Sequence, residues 1–429
     1  MHVRAGLTFS GSGAQVIEIK PEASTGLEAI YVLTNTEGVQ VTSNYPSPWM
    51  AFGSMGGAYA EEIAAAGSTL TLDNGDTGIL MTDDSGRQHC FWIVDYSAHE
   101  LILDALSAVP EDGNCERTTL ILAGHAEPIV YYTITGRREV LSRELELEYD
   151  TQVFDEGAFD YVSGKTKLTL EGVSTRVGVT APLCDTYFTL TGDRFLRKWG
   201  REETVTSDLF LTSAVAAETR AEQTERENDN EQKDDTAGSF GGSAPCEIAF
   251  TAATSDKVIF REWQISTTPE FEILQNSFNE DSFTYTFTDK GSFYVRFVAN
   301  NADGTCEQLG TVYEIFIGES RLDIPNAFSP GASPGVNDEW KVSYRSLIDF
   351  ECHIFNRWGT EVFSFTDPSQ GWDGKFRGKL VPAGVYYYVI RAKGADGVEY
   401  KRSGDINIIN FRDSQGSSSS GNGSVESEE

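Results

Sequence analysis

Proton transfer and metal ligation near neutral pH fall first to histidine, and this chain of 429 residues holds five: His2, His89, His99, His125 and His353. His89 and His99 bracket Asp95, a spacing that could gather two imidazoles and a carboxylate around a metal. Alternate residues of a strand face opposite ways, so His89 and Asp95 share a face only if the strand runs unbroken. The plainer reading puts each histidine on the surface or in a satisfied core position. Gly53-Ser54-Met55-Gly56 lacks the first glycine of a nucleophile elbow, and no histidine can be tied to Ser54. Neither Gly-x-x-x-x-Gly-Lys nor His-Glu-x-x-His occurs. With 66 acids, neighbours such as Asp83-Asp84 or Glu61-Glu62 single out nothing. Glycosidase chemistry needs a cleft and a raised acid pKa, and spacing shows neither. No catalytic residue, cofactor or metal site is expected.

Binding chemistry has one candidate loop. Pro48-Trp49, Phe52, the stretch Gly53-Ser54-Met55-Gly56-Gly57 and Tyr59 combine aromatic rings with backbone freedom. Core anchoring plus a turn is one reading. A ligand lip is the other, with Trp49, Phe52 and Tyr59 as exposed coplanar rings for a glycan.

Six cysteines are present and none forms a Cys-x-x-Cys pair, which argues against zinc ribbons and thioredoxin-type chemistry. In an oxidising compartment, pairing within domains predicts Cys115–Cys184 and Cys246–Cys306, each worth about 2–4 kcal/mol; the alternative is that all six stay reduced. Cys90 and Cys352 would then be lone buried thiols.

The elements that must position these groups are strands. Gly is frequent (41), Met scarce (4), and Tyr and Phe together number 42, a balance that favours strands and turns. Such a length calls for several domains. The net charge of −33 disfavours nucleic acid and anionic lipid as partners. No run of 18 apolar residues is present, so no membrane span is expected.

Residues 1–97 alternate strand-like runs such as Ala14-Gln15-Val16-Ile17-Glu18-Ile19 with turns, and Asn74-Gly75 is a hairpin signal. They are read as an N-terminal β-sandwich domain. Residues 98–213 are read as an Ig-like β-sandwich, with Leu145-Glu146-Leu147-Glu148 setting acids on a solvent face. Between Glu218 and Asp235 lie eight acids, three bases and no aromatic, so 214–243 is expected to be an acidic disordered linker. Residues 244–320 carry Trp263 and the run Tyr285-Thr286-Phe287 … Phe293-Tyr294-Val295-Arg296-Phe297 across a Gly291 turn. The tail, 412–429, is Ser/Gly-rich and expected to be disordered.

The most organised stretch is 321–411. It opens Ile324-Pro325-Asn326-Ala327-Phe328-Ser329-Pro330 and continues through Asn337-Asp338-Glu339-Trp340 and Ile354-Phe355-Asn356-Arg357-Trp358-Gly359. Trp372-Asp373-Gly374, a tight turn, and Gly384-Val385-Tyr386-Tyr387-Tyr388-Val389-Ile390 follow. Both faces of that last strand are apolar or aromatic, so both are expected to be covered. Trp358 is read as a core residue and Arg357 as a cross-strand partner to an acid, in preference to, though compatible with, the two forming part of a face read by a partner.

These blocks, in this order, resemble the gliding-motility-associated C-terminal domain, the type B sorting domain of type IX secretion. The resemblance implies export across a Gram-negative outer membrane, with the secretion machinery as partner and the cell surface or exterior as destination. Met1-His2-Val3-Arg4-Ala5-Gly6 lacks the apolar core of a signal peptide, so the resemblance requires that one has been removed. Where the family often has an oxygen-rich loop suited to a hard cation, this chain reads Gly331-Ala332-Ser333-Pro334-Gly335-Val336-Asn337-Asp338, better read as a rigid turn. Residues 244–319 resemble polycystic-kidney-disease-type Ig-like domains, although their Trp-Asp-Phe-Gly-Asp-Gly loop is missing. That resemblance implies Trp263 packed over a Cys246–Cys306 bridge.

The resulting expectation is an all-β chain of tandem Ig-like β-sandwich domains, non-enzymatic, exported, with an adhesion or structural role toward a protein or glycan ligand. A secreted hydrolase or glycan-binding protein with its site in residues 1–213 is the rival.

Overall fold

The computed structural model describes residues 6–11, 13–45, 48–233, 240–330 and 337–409. The chain falls into two compact units: Met1–Ala216 with Thr254–Ile259 and Asn300–Glu307, and Ala217–Ala253 with Phe260–Ala299 and Gln308–Glu429. Strands build both. The described residues hold one α-helix, Arg194–Lys198, and three short 3-10 turns. The all-β expectation is met.

Unit 1 begins with a six-stranded sheet in the order Val16–Ile19, Ala29–Leu33, Gln88–Asp95, Thr77–Thr82, Met50–Phe52, Glu61–Glu62. A three-stranded sheet of Leu7–Ser10, Gln40–Ser43 and Thr69–Thr71 covers one face, burying Leu7, Tyr31, Val41, Trp49, Leu70 and Phe91. The central strands Ala29–Leu33 and Gln88–Asp95 pair in parallel and are buried at every position except Gln88. Such continuous apolar runs need cover on both faces. On the second face Ile30, Val32, Trp92 and Val94 meet Ile129, Leu141 and Phe195. A boundary at 97/98 therefore does not separate one core from the next, because residues beyond it complete the first.

The remainder of unit 1 is a seven-stranded sandwich. Leu101–Glu111, Asn114–Ala126 and Arg176–Thr180 form one sheet; Asp160–Leu170, Leu145–Asp155, Thr189–Gly192 and Glu203–Thr206 form the other. Leu145, Leu147 and Tyr149 face the core between them, while Glu146 is exposed and Glu148 holds Lys165 and Lys167. That is the alternation the sequence predicts.

In unit 2, Ala217–Gln223, Cys246–Thr254 and Ser282–Phe287 form a three-stranded sheet opposite one that contains Phe260–Ser266, Gly291–Asn300 and Tyr313–Ile317. Trp263 is fully buried against Phe250, Phe283 and Phe297, at 5.5, 5.7 and 5.0 Å. The expectation of an unstructured 214–243 is corrected here for 214–233 and 240–243, with 234–239 outside the described residues. Ala217, Thr219, Ala221 and Gln223 turn inward and Glu218, Arg220 and Glu222 outward. Small inward residues suffice where the opposing Tyr313 is large; its hydroxyl reaches Thr219 Oγ1 at 2.9 Å. Further on, Asn230 donates to the carbonyls of Val342 and Pro368 at 2.8 Å each, and Glu231, almost wholly buried, meets Arg226 at 2.6 Å.

Residues 321–409 close on a five-stranded sheet in the order Ala327–Phe328, Glu399–Ile408, Gly384–Gly394, Leu347–Phe355, Glu361–Phe365. Ala327–Phe328 runs parallel to Glu399–Ile408. Phe328, Trp340, Phe350, Ile354, Trp372, Tyr386, Ile390 and Ile406 form its core. Only one face of Gly384–Gly394 is covered: Tyr386, Ile390 and Ala392 are buried, whereas Val385, Tyr387 and Val389 are 43, 47 and 41% exposed. The expectation of two covered faces fails because nothing stacks on the outer one among the described residues.

Candidate functional site

The motif blocks of 321–409 divide into residues that make the fold and residues that leave it. Trp340 and Trp372 are fully buried and bridge each other's backbone, N to O at 2.9 and 3.0 Å. Trp340 Nε1 donates to the Pro325 carbonyl at 2.7 Å, and Asn326 O accepts from Asn407 N at 2.9 Å. Phe328 packs on Trp372 at 5.5 Å, Tyr386 on Trp372 at 5.2 Å and Tyr388 on Trp340 at 5.4 Å. Asp373 Oδ1 accepts from Lys375 N at 3.0 Å, closing the expected turn. Gly374 sits at φ +72° with Pro330 2.8 Å from where a Cβ would lie, so a side chain there is excluded twice over. Asn337, at φ +56°, offers its carbonyl to Ser329 N at 2.9 Å. Asp338 and Tyr388 are half-buried, while Gly384 is exposed.

Asn356 to Gly359 is a turn, not strand. The strand ends at Phe355; Asn356 Oδ1 then accepts from Trp358 N and Thr360 N, each at 3.0 Å, and Gly359 takes φ +81°. Asparagine and glycine suit those positions. The turn throws Trp358 outward at 74% exposure, with the Arg357 guanidinium 4.2 Å from its ring centre. Both sequence expectations are thereby corrected: Trp358 is no core residue, and Arg357 meets an aromatic face rather than an acid. Beside them lies a hollow of about 320 Å³ lined by Val362, Phe376, Val381, Pro382, Val385 and Tyr386. Phe376 and its neighbours are not legible as site residues in the sequence. Their only signal is Arg377-Gly378, both at positive φ, which makes a two-residue hairpin turn between Lys375–Phe376 and Lys379–Leu380. A larger hollow of about 1100 Å³ by Tyr344 and Tyr400 sets four cations against four acids, so it has no charge preference.

The Trp49 loop does not present a ring platform. Trp49 and Phe52 are 1 and 4% exposed; only Tyr59, at 67%, is outside. Gly57 N bonds the Ile134 carbonyl at 2.8 Å, and a Cβ on Gly56 would fall 2.5 Å from Gly136 N, so the loop is pinned. Core anchoring wins because the two bulkier rings are needed to fill the sheets.

The histidines are held apart. His89 lies under Tyr45 (3.7 Å between rings) with Nδ1 2.8 Å from Glu28 and Nε2 3.1 Å from Asp83. The Ser85 hydroxyl and the His89 ring hold Asp83 well below the usual carboxylate range. His99 meets Asp76 at 2.7 Å and His125 meets Glu127 at 3.2 Å. Asp95 instead accepts from Thr36 (2.7 Å), Gly75 N and Ser97. Among the described residues no group of three or more His, Cys, Asp or Glu side chains is placed to hold a metal. His2 and 331–336 of the oxygen-poor loop lie outside the described residues.

The cysteine pairing differs from expectation. Cys115 bonds Cys306, with Cα atoms 5.7 Å apart, and Cys90, Cys184, Cys246 and Cys352 are free. Both predicted pairs fail because Asn300–Glu307 belongs to unit 1, which takes Cys306 to Cys115. Cys246, buried in Cys246–Thr254, is left without a sulfur partner, so Trp263 packs on phenylalanines and not on a bridge.

Residues 322–408 match the CHU_C type IX secretion signal domain, and residues 107–207 match a fibronectin type III domain. The chain thus carries an export signal at its C-terminal side and an Ig/fibronectin-type sandwich before it, an all-β multidomain protein of the cell surface or extracellular space. Such a signal implies interaction with the secretion machinery. No curated protein matches. Among solved structures, a tetra-tandem repeat from the extending region of a large adhesion protein is 14% identical, covering 88% of this chain and 96% of that one at a TM-score of 0.22. The fibronectin(III)-like modules of Clostridium thermocellum CbhA are 13% identical (41 and 94% covered, TM-score 0.18). Dimeric latent PorU from Porphyromonas gingivalis is 13% identical (76 and 36%, TM-score 0.16). None of these overlays is close enough to bear on function. No helix among the described residues is long and apolar enough to cross a membrane.

Proposed function

We propose that the chain is a non-enzymatic surface protein: an exported array of β modules that binds a partner or extends one from the cell. The observation that supports this most is where its chemically able side chains are spent. His89, His99 and His353 each sit on one or two carboxylates. The Arg143–Asp193 pair is buried and shared with Tyr96, as an element of the packing. His89 and His353 engage both ring nitrogens with carboxylates, which leaves neither nitrogen free for a substrate.

Two measurements test the reading. Deleting residues 321–429 in the native host should abolish surface delivery, detected with antibody on intact cells. Purified full-length chain, presented to glycan and extracellular-protein arrays, should bind without consuming what it binds. Turnover of an ester, peptide or glycoside panel that maps to residues 1–213 would replace this proposal with the hydrolase.

A further inference from the structure

We propose that the hollow beside Arg357 and Trp358 is a docking site for an extended segment of another protein that carries a carboxylate next to an apolar side chain. This adds a recognition chemistry to the export module, and its test makes no use of export.

A tryptophan that is three-quarters exposed on a turn built to expose it is not a packing residue. Asn356 and Gly359 spend a side-chain acceptor and a positive φ on that turn. Val385, 43% exposed at the start of the central strand, lines the same hollow as Trp358. Apolar surface gathered in one concavity marks a place where something else sits. At about 320 Å³ the hollow is at the small end of the range of roughly 300–1,000 Å³ typical of ligand sites, room for one or two side chains.

Charge says which partner. Arg357 is the one ionic residue lining the hollow, and it has no carboxylate partner among the described residues. Arg377 stacks on Phe376, 5.1 Å from its ring, with its charge likewise unmatched by an acid among the described residues. In a chain of net charge −33, no Asp or Glu lines this hollow. Arginine held flat on an aromatic ring keeps its outer N–H groups in a fork that fits a carboxylate.

Hydrogen bonding separates a peptide from a sugar. Sugar recognition needs free donors and acceptors around the ring. Here Asn356 Oδ1 is already shared by two backbone N–H groups, and the Tyr386 hydroxyl donates to the Pro382 carbonyl at 3.1 Å. Val362, Val381, Pro382 and Val385 offer only apolar contact. An aliphatic or aromatic side chain, with an acid beside it for Arg357, satisfies the site; a polyhydroxylated ring leaves its hydroxyls unpaired.

The test is binding of full-length chain to an array of randomised decapeptides, binned by net charge and by Leu, Ile and Phe content. Acidic peptides with apolar residues should be retained over neutral, basic and acidic-polar bins, and less so in high salt. Arg357→Gln should erase the preference for acid, weakening the retained set about tenfold while leaving neutral apolar peptides unchanged. Trp358→Ala should lower retention of both. Because both side chains are exposed, unchanged thermal melts will show that the variants fold. The proposal falls if the bins do not differ, if Arg357→Gln changes nothing, or if an anionic oligosaccharide or anionic lipid vesicle binds at this site instead.

Discussion

The guanidinium of Arg143 and the carboxylate of Asp193 meet at 2.7 Å inside unit 1, with side-chain exposures of 4 and 0%. Tyr96 donates to the same Asp193 oxygen at 2.9 Å, the Glu127 carbonyl accepts from Arg143 at 2.7 Å, and the His99 carbonyl accepts from it as well. The other Asp193 oxygen caps the helix Arg194–Lys198 through Phe195 N and Leu196 N. Both carboxylate oxygens and the guanidinium fork are thus engaged, which is the condition under which a buried ion pair is tolerated. Burial and the negative charge of Asp193 also push the Tyr96 phenol upward in pKa.

Removing one partner should therefore cost far more than the pair contributes. Arg143→Met or Asp193→Asn is expected to lose about 3–5 kcal/mol of unit 1 stability, read from urea unfolding of the full chain. A loss below about 1 kcal/mol in both would show that water reaches the site.

The cysteines give a chemical check. Non-reducing peptide mapping should return one crosslink, Cys115 to Cys306, and Cys306→Ser should cost roughly 2–5 kcal/mol. Burial pushes the thiols of Cys90 and Cys352 up to about 12 and that of Cys246 up to about 11. At about pH 8 a thiol reagent should therefore find only Cys184 in the native chain, and slowly, since partial burial and then Asp150 raise it too. All four free thiols should react in denaturant. Rapid native labelling of Cys352 would contradict the buried core of the C-terminal sheet.

Two tryptophans of the same module should behave oppositely. Trp340→Ala removes a fully buried ring that touches Tyr388 and holds Pro325, and should cost about 3–5 kcal/mol. Trp358→Ala, from a ring 74% exposed, should change stability by no more than about 0.5 kcal/mol. Melting of the two variants side by side decides it.

His353 carries the pH dependence. Its ring lies 3.0 Å from Glu351 and 3.0 Å from Glu361; the bond to Glu351 raises its pKa most, desolvation opposes it, and the bond to Glu361 adds to the rise. A raised folded-state pKa adds stability in full below the unfolded value near 6.5, lost as pH rises through the folded value. At 34% side-chain exposure the effect is about 0.2–1 kcal/mol after screening. His353→Gln should flatten that slope. An NMR titration placing His353 at or below about 6.5 would remove the basis for it.

How much is legible depends on range. Leu145-Glu146-Leu147-Glu148 announces its inward and outward faces because strand geometry is set within two residues. The turn at Asn356 to Gly359 is not announced: the apolar pair Ile354-Phe355 carries a strand reading on to Trp358, whereas the strand ends at Phe355. The strand Ala217–Gln223 is hidden, since its inward residues are small and its outward ones charged, a pattern that composition alone reads as disorder. Trp358 and Trp340 look alike as letters; their opposite fates follow from which of them falls where the chain turns outward.

What the chain's own letters determined is its period-two architecture, its turns and the export module, all carried by neighbours along the backbone. What only folding in three dimensions decided is which sulfur meets Cys115 across 191 residues, which aromatic rings fill a core and which stay in water. Those outcomes depend on surfaces brought together from distant segments, and no local pattern encodes which of two apolar faces will find a cover.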